Sequence, residues 1–211
     1  MMAIKTIELF CGTKSFSKVA AERGHTTFTV DVDERFNPDL CIDILELQRE
    51  DLPEEIDVLW ASPPCTTFSV ASLRHYWING KQKNAKTWHG IAIMLKTLDL
   101  INEIQKDNPN LIWFMENPRG MLRKQKFMVN LFKNTVTYCQ YGDFRQKPTD
   151  IWTNCTTWNS KPMCAPGSPC HQSSSKRGSD RGTQYLADAK TRAIIPPALF
   201  NEIFEVIENG D

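Results

Sequence analysis

Two stretches of this chain hold reactive side chains where the backbone has little freedom. In Ser62-Pro63-Pro64-Cys65-Thr66-Thr67-Phe68-Ser69 the prolines fix φ at consecutive positions and present Cys65 on a preset loop. A thiol becomes a good nucleophile where nearby positive charge lowers its pKa. The residues after the loop are the nearest source: Arg74, Lys81, Lys83, Lys86 and Lys96, with no acid from Val58 to Leu98. A lone cysteine is more often a small core residue, but its position behind Pro-Pro at the end of an apolar run argues for chemistry. The second stretch is Ile112-Trp113-Phe114-Met115-Glu116-Asn117-Pro118. A carboxyl at the rim of an apolar strand has a raised pKa and can donate a proton or hydrogen bond to a ring nitrogen. The plainer reading of Glu116 is a cap or a surface acid.

The elements that must carry these groups follow from periodicity. Residues 4–10 alternate and end in Cys11-Gly12, and 15–23 form an amphipathic pattern closed by Gly24. Residues 26–32 are β-branched and aromatic and stop at Asp31-x-Asp33, while 56–61 and 111–115 are short apolar runs. A helical pattern covers 91–106, two further strands are expected at 135–142 and 150–153, and Pro196-Pro197 opens a last helix to about residue 207. Strands alternating with helices predict an α/β, doubly wound, mostly parallel sheet. Ligands of such sheets sit outside the carboxyl ends of the strands. Cys11-Gly12, Asp31, Asp43, Ser62 to Cys65 and Glu116-Asn117 all fall there.

The 211 residues carry 25 basic and 25 acidic side chains and 41% hydrophobic content, which suits one globular domain. There is no apolar run long enough to span a membrane and no secretory leader pattern. Seven cysteines, an odd number, fit a reducing, cytoplasmic setting. The zero net charge conceals an asymmetry: 5 basic against 13 acidic residues from Glu8 to Asp57, and 13 against 4 from Arg119 to Arg192. Basic blocks that converge in space suit a polyanion, although solvated loops account for the composition equally well.

From Cys155 to Thr183 the chain is Ser, Pro, Gly, Cys and Lys/Arg with hardly an aliphatic residue, which predicts an irregular insertion. The expected organisation is a catalytic and cofactor-binding unit at 1–154, the insertion at 155–191, and a C-terminal helix at 192–211 that packs back. Cys155, Cys164, Cys170 and His171 are candidate zinc ligands, with Cys139 or His75 as outside members. No C-x-x-C pair is present and adjacent Cys170 and His171 rarely ligate one ion together, so the sequence assigns no metal. Lys176-Arg177-Gly178-Ser179-x-Arg181-Gly182 reads as a phosphate-contacting strip or a plain linker.

Five motifs in order carry a resemblance: Glu8-Leu9-Phe10-Cys11-Gly12, Pro63-Pro64-Cys65-x-x-Phe68-Ser69, Glu116-Asn117-Pro118, Tyr141-Gly142 and Ile195-Pro196-Pro197-x-Leu199. The chain resembles the cytosine-5 DNA methyltransferases. The resemblance implies a Rossmann-like S-adenosylmethionine-dependent methyltransferase fold in which Cys65 adds to C6 of a flipped cytosine and Glu116 engages N3 and the exocyclic amine. It places Ser69, Asn117, Arg145 and Lys147 on the substrate, and Phe10, Cys11, Gly12, Asp31, Asp43, Ile44 and Pro63 around S-adenosylmethionine. The basic loop after Ser69, with His75, Trp77, Trp88 and His89, resembles the element that closes over the target.

The chain departs from that pattern in three places. Thr13-Lys14-Ser15 replaces further glycine, Arg145 and Lys147 replace an arginine pair, and only about 40 residues stand where members carry a recognition domain. The expectation is therefore DNA as partner, with a short or relaxed target or a helper protein. RNA, as in a tRNA loop, is the alternative substrate, and a catalytically silent binding module is the alternative from another class.

Overall fold

The computed structural model describes residues 3–172, 186 and 188–210. The chain runs β1 (Lys5–Leu9), α1 (Ser15–Glu22), β2 (Thr26–Asp31), β3 (Leu40–Cys41), β4 (Val58–Ala61), α2 (Leu73–Tyr76), β5 (Trp77–Ile78), β6 (Lys81–Gln82), α3 (Ala85–Asp107), β7 (Ile112–Pro118), β8 (Lys133–Thr137), β9 (Pro148–Thr153), α4 (Ala189–Ala193) and α5 (Pro197–Asn209). Seven strands form one sheet in the order β3-β2-β1-β4-β7-β9-β8, and β5-β6 is a separate hairpin. Strands β1, β2, β3, β4 and β7 pair in parallel, whereas β9 is antiparallel to both β7 and β8. This is the expected α/β, mostly parallel architecture. The strand order reverses between β1 and β4, which opens a crevice at their carboxyl ends.

Period-two alternation sends neighbouring residues of β4 into different cores. Leu59 and Ala61 join Ile7, Leu9, Met94 and Leu100 on the α3 face, while Val58 and Trp60 join Phe16, Phe200 and Phe204 on the α1 and α5 face. Trp60 lies 4.8 Å from the Phe200 ring and 5.7 Å from Phe16, and Phe16 lies 5.2 Å from Phe204. Each such pair adds about 1 kcal/mol beyond its buried area. Arg23 and His25 both bond Glu208, at 2.7 and 2.9 Å to Oε1, which fastens α5 across the end of α1.

The structure moves several element boundaries. Helix α3 begins at Ala85, because Asn84 caps it by accepting from the Thr87 amide at 3.1 Å. Strand β8 ends at Thr137 rather than continuing to Gly142; a 3-10 turn over Tyr138–Tyr141 follows and closes at Gly142 with φ 85°. Only short 3-10 turns connect β7 to β8. Lys176 to Gly182 lies outside the described residues.

Candidate active site

The crevice contains a cavity of about 780 Å³ that brings together residues remote in sequence: Phe10 to Thr13 beyond β1, Pro63 to Cys65 beyond β4, Ser69, Glu116 on β7, and Lys147 at the start of β9. Arg192 and Ile195, on the return towards α5, complete the wall.

The Cys65 loop is fixed from several sides. Ser62 N donates to Leu9 O at 3.2 Å, and the Cys65 carbonyl accepts from Phe68 N at 3.0 Å and Ser69 N at 2.9 Å. Phe68 is fully buried, and the Trp77 indole donates to Thr67 O at 2.7 Å. Met121 N bonds Phe68 O at 2.8 Å beside Gly120, where a Cβ would stand 2.2 Å from that oxygen. Only glycine permits the approach. Trp77 is thus part of the loop's foundation, whereas Trp88 is 59% exposed.

Asn117 is completely buried and donates from Nδ2 to Pro63 O at 2.9 Å. Asn117, expected on the substrate, is absent from the cavity lining and holds the loop that presents Cys65.

Cys65 is half-buried, and burial followed by the charge of Glu116 pushes its thiol up. Lys147 and Arg192 pull it down. The activating cations thus come from the strand β9 side and the α5 return, not from the basic loop that follows Ser69 in sequence. Cys11, the other thiol in the crevice, is pushed up to about 12 by burial and by the neighbouring Asp31 and Glu8 charges. Both thiols are raised; Cys65 differs in having two cations, Lys147 and Arg192, that favour its thiolate, where Cys11 has the charges of Asp31 and Glu8 against it.

Glu116 is 5% exposed. Burial raises its pKa, with Asp150 acting in the same direction, while Lys147 and the Tyr138 hydroxyl oppose this. Tyr138 donates to Glu116 Oε1 at 3.2 Å, and Lys147 Nζ lies 4.6 Å from the centre of the Tyr138 ring while donating to Arg192 O at 3.1 Å. Tyr138 was not among the sequence candidates. Its position depends on the 3-10 turn that replaces the end of the expected strand.

Arg145 does not reach the cavity. It forks onto Asp143, at 2.9 Å from Nε, and donates to the carbonyls of Arg192 at 3.0 Å and Ile194 at 2.9 Å. With 5% exposure, Arg145, expected on the substrate, directs its donors to Asp143 and the α5 return. Lys147 alone of the two basic residues lines the crevice.

At the other end, Gly12 has φ 45°, and its amide donates to Asp31 Oδ2 at 2.8 Å. The second Asp31 oxygen accepts from Asp33 N at 2.9 Å. Asp33 itself forks onto Arg35, at 2.8 Å from Nε, so Asp31 is the acid aimed at the turn. Phe10 and Lys14 also adopt left-handed φ, 58° and 56°, at a cost of about 1–2 kcal/mol each. Lys14 turns away to donate to Asn37 O at 2.5 Å, while Thr13 and Ser15 line the cavity. Asp43 accepts from Leu45 N at 2.9 Å, and Ile44 packs into the α3-side core. Neither lines the cavity.

Glu8, a second residue absent from the candidates, lines the cavity while buried to 3% exposure. It accepts from Ser17 Oγ at 2.6 Å, Ser17 N at 2.9 Å and Phe16 N at 3.3 Å, satisfying the first turn of α1. Burial raises its pKa to about 7 against those bonds.

Residues 4–144 match the model of the C-5 cytosine-specific DNA methylase family. The chain is 28% identical over 222 residues to a probable DNA (cytosine-5)-methyltransferase of Frog virus 3 (isolate Goorha), covering 96% of this chain and 100% of that protein. Among solved structures it is similar to the Dnmt2 methyltransferase of S. pombe, with a TM-score of 0.50, 13% identity and 72% of this chain covered, and to the Entamoeba histolytica methyltransferase EhMeth, with 0.53, 13% and 76%. The chain spans 49% and 56% of those two proteins, so their likeness concerns the fold. The family match runs through the Gly12 turn, the Cys65 loop and Glu116, and on that ground the chain belongs to the C-5 cytosine-specific DNA methylases, enzymes that take their methyl group from S-adenosylmethionine.

Proposed function

We propose that the chain methylates C5 of cytosine in DNA through a bond between Cys65 and C6 of a base turned out of the duplex. The observation that carries this reading is the convergence of Cys65, Glu116 and Lys147 on one cavity that also contains the Gly12 turn. A thiol beside two cations and a buried carboxyl of raised pKa form the pair that addition to a pyrimidine ring requires.

The crevice fits the cofactor in size and donor chemistry. Its volume of about 780 Å³ suits a nucleoside-sized ligand, and Phe10, Cys11, Gly12 and Pro63 line it. The Asp31 carboxylate lies outside the cavity lining but is tied to the Gly12 amide that lines it, and it keeps lone pairs for ribose hydroxyls. When bound, S-adenosylmethionine supplies an electrophilic methyl group.

The chain's own residues do the rest. Lys147 and Arg192 favour the Cys65 thiolate as it gives up its proton and bonds to C6. Glu116, whose pKa burial raises, donates to N3, so the displaced electron pair gathers at C5, where it would take the methyl group that bound S-adenosylmethionine supplies. Loss of the C5 proton to solvent then restores the double bond and expels Cys65 as its thiolate. A duplex hides C5 and C6, hence the turned-out base. Exposed Arg74, Lys81 and Lys83, near the mouth beyond Ser69, provide the phosphate contacts.

Only about 40 residues separate Thr153 from Ile194, too few for a recognition domain of about 100 residues, and from that length we infer a target of few bases or a partner protein that supplies the reading. Transfer of labelled methyl to unmethylated duplex DNA, beside RNA and beside Cys65→Ala, tests the proposal. Label in 5-methylcytosine of DNA, absent in the variant, supports it; label in RNA alone overturns the choice of polymer, and label unaffected by the variant overturns the mechanism. Stringent selection of a six-base site by the lone chain would overturn the inference about the target.

A further inference from the structure

Outside the active-site cavity, a second cluster of chemistry-bearing side chains forms where the insertion meets the turn after β8. Cys139, Cys164, Cys170 and His171 place their sulfur and ring-nitrogen atoms within 4.8 Å of one another. Cys139 Sγ lies 3.1 Å from Cys164 Sγ and 3.6 Å from Cys170 Sγ, and His171 Nδ1 lies 3.5 Å from both Cys164 Sγ and Cys170 Sγ. A tetrahedral zinc with Zn–S about 2.3 Å and Zn–N about 2.0 Å separates its sulfurs by about 3.8 Å and sulfur from nitrogen by about 3.5 Å. The cluster has the dimensions of that ligand set. A disulfide explains it less well: the closest sulfurs stand well beyond the bonded distance of about 2.05 Å, and a third thiol and an imidazole have no part in one.

The surroundings suit thiolates. Gln146 Nε2 donates to Cys164 Sγ at 3.4 Å and Gln140 Nε2 to Cys170 Sγ at 3.7 Å, so two sulfurs have amide donors. His171 presents Nδ1, the short reach from the backbone, which is how it and adjacent Cys170 converge on one point. Cys155, which the sequence placed in the set, is instead buried against the α5-side core, with its sulfur 3.5 Å from Thr157 Oγ1. Cys139 takes its place.

We propose that Cys139, Cys164, Cys170 and His171 bind one zinc ion that fastens the insertion to the body of the enzyme. The segment needs such a fastening because Trp158 is its last side chain buried in a core, and none of residues 159–172 is buried. Beyond Trp158 its other ties are few: Lys161 N to the Tyr141 hydroxyl at 2.9 Å, Lys161 Nζ to Gln140 O at 3.3 Å, Cys164 N to Thr137 Oγ1 at 3.1 Å, Gln146 Nε2 to Cys164 O at 3.2 Å and Gln172 N to Phe144 O at 2.9 Å. All land on the stretch from Thr137 to Lys147 that carries Tyr138 beside Glu116. The ion has four protein ligands and no open position, so its role is structural.

The test is elemental analysis of the full chain purified without chelator in zinc-containing medium, followed by cobalt exchange. About one zinc per chain, a cobalt spectrum of tetrahedral thiolate type, and a fall to about a tenth of an equivalent in Cys170→Ser but not in Cys41→Ser support the site. Both replaced cysteines are exposed, so each variant folds on its own merits. Less than about a tenth of an equivalent in the wild-type chain, with its thiols freely titratable, overturns the proposal. So does stoichiometric iron, a Cys139–Cys164 disulfide in protein handled without oxygen, or equal zinc in both variants.

Discussion

The Tyr138 hydroxyl donates to Glu116 Oε1 at 3.2 Å, and the two side chains are 0% and 5% exposed. That bond favours the ionised carboxylate and so opposes the burial that raises the Glu116 pKa. Tyr138→Phe removes it and moves the carboxyl further up. The limb of the pH–rate profile that requires protonated Glu116 should shift to higher pH, with a stability loss of about 1 kcal/mol. A limb that stays put, measured by methyl transfer across pH 6 to 9, would show that the bond does not act on the reacting form.

Lys147 is the cation shared by the two catalytic groups, lowering both Cys65 and Glu116. Lys147→Met should raise the pH at which Cys65 is alkylated by a small reagent and lower kcat/KM by about 100-fold. Lys147→Arg should recover part of the rate. Unchanged alkylation in the methionine variant would contradict the role given to this lysine.

Gly120→Ala tests the positioning of the loop without touching the cavity. The added Cβ would meet Phe68 O at 2.2 Å, so the loop must move. We expect about 1–3 kcal/mol lost in thermal unfolding and about 100-fold lost in kcat. Full activity at reduced stability would mean that the loop tolerates displacement.

Glu8 gives the fold a pH dependence of defined sign. Its carboxyl is raised from 4.5 to about 7 in the folded chain, so protonation is favoured by folding. The stabilisation is complete below 4.5 and disappears as pH rises through about 7. Between those limits the wild-type chain should change by about 3 kcal/mol from this group, and Glu8→Gln should flatten that part of the curve. Denaturant unfolding at pH 5.5 and 8 measures the difference; an identical slope in the variant would remove Glu8 as its source.

Much of this site was legible because strand ends announce themselves: the alternation before Cys11-Gly12 and the apolar runs before Ser62-Pro63 and Glu116 fixed where the crevice would open. What escaped depended on the path between elements. Tyr138 reaches Glu116 only because β8 stops at Thr137 and the chain turns. Arg145 looked available for substrate, yet Asp143 and two backbone carbonyls occupy its donors. Cys139 and Cys155 are equivalent as letters, and only the route of the insertion selects the first. The charge acting on Cys65 was assigned to its neighbours in sequence, whereas it arrives from Lys147 and Arg192 across the sheet.

The central claim is that Cys65 forms the bond to cytosine. Duplex DNA containing 5-fluorocytosine, incubated with the chain and S-adenosylmethionine, tests it directly, since fluorine at C5 cannot leave as a proton and the adduct persists. The account predicts a denaturation-resistant protein–DNA complex whose cross-linked peptide maps to Cys65 and which Cys65→Ala abolishes. A methylating enzyme that forms no such complex, or one cross-linked through another residue, would contradict it.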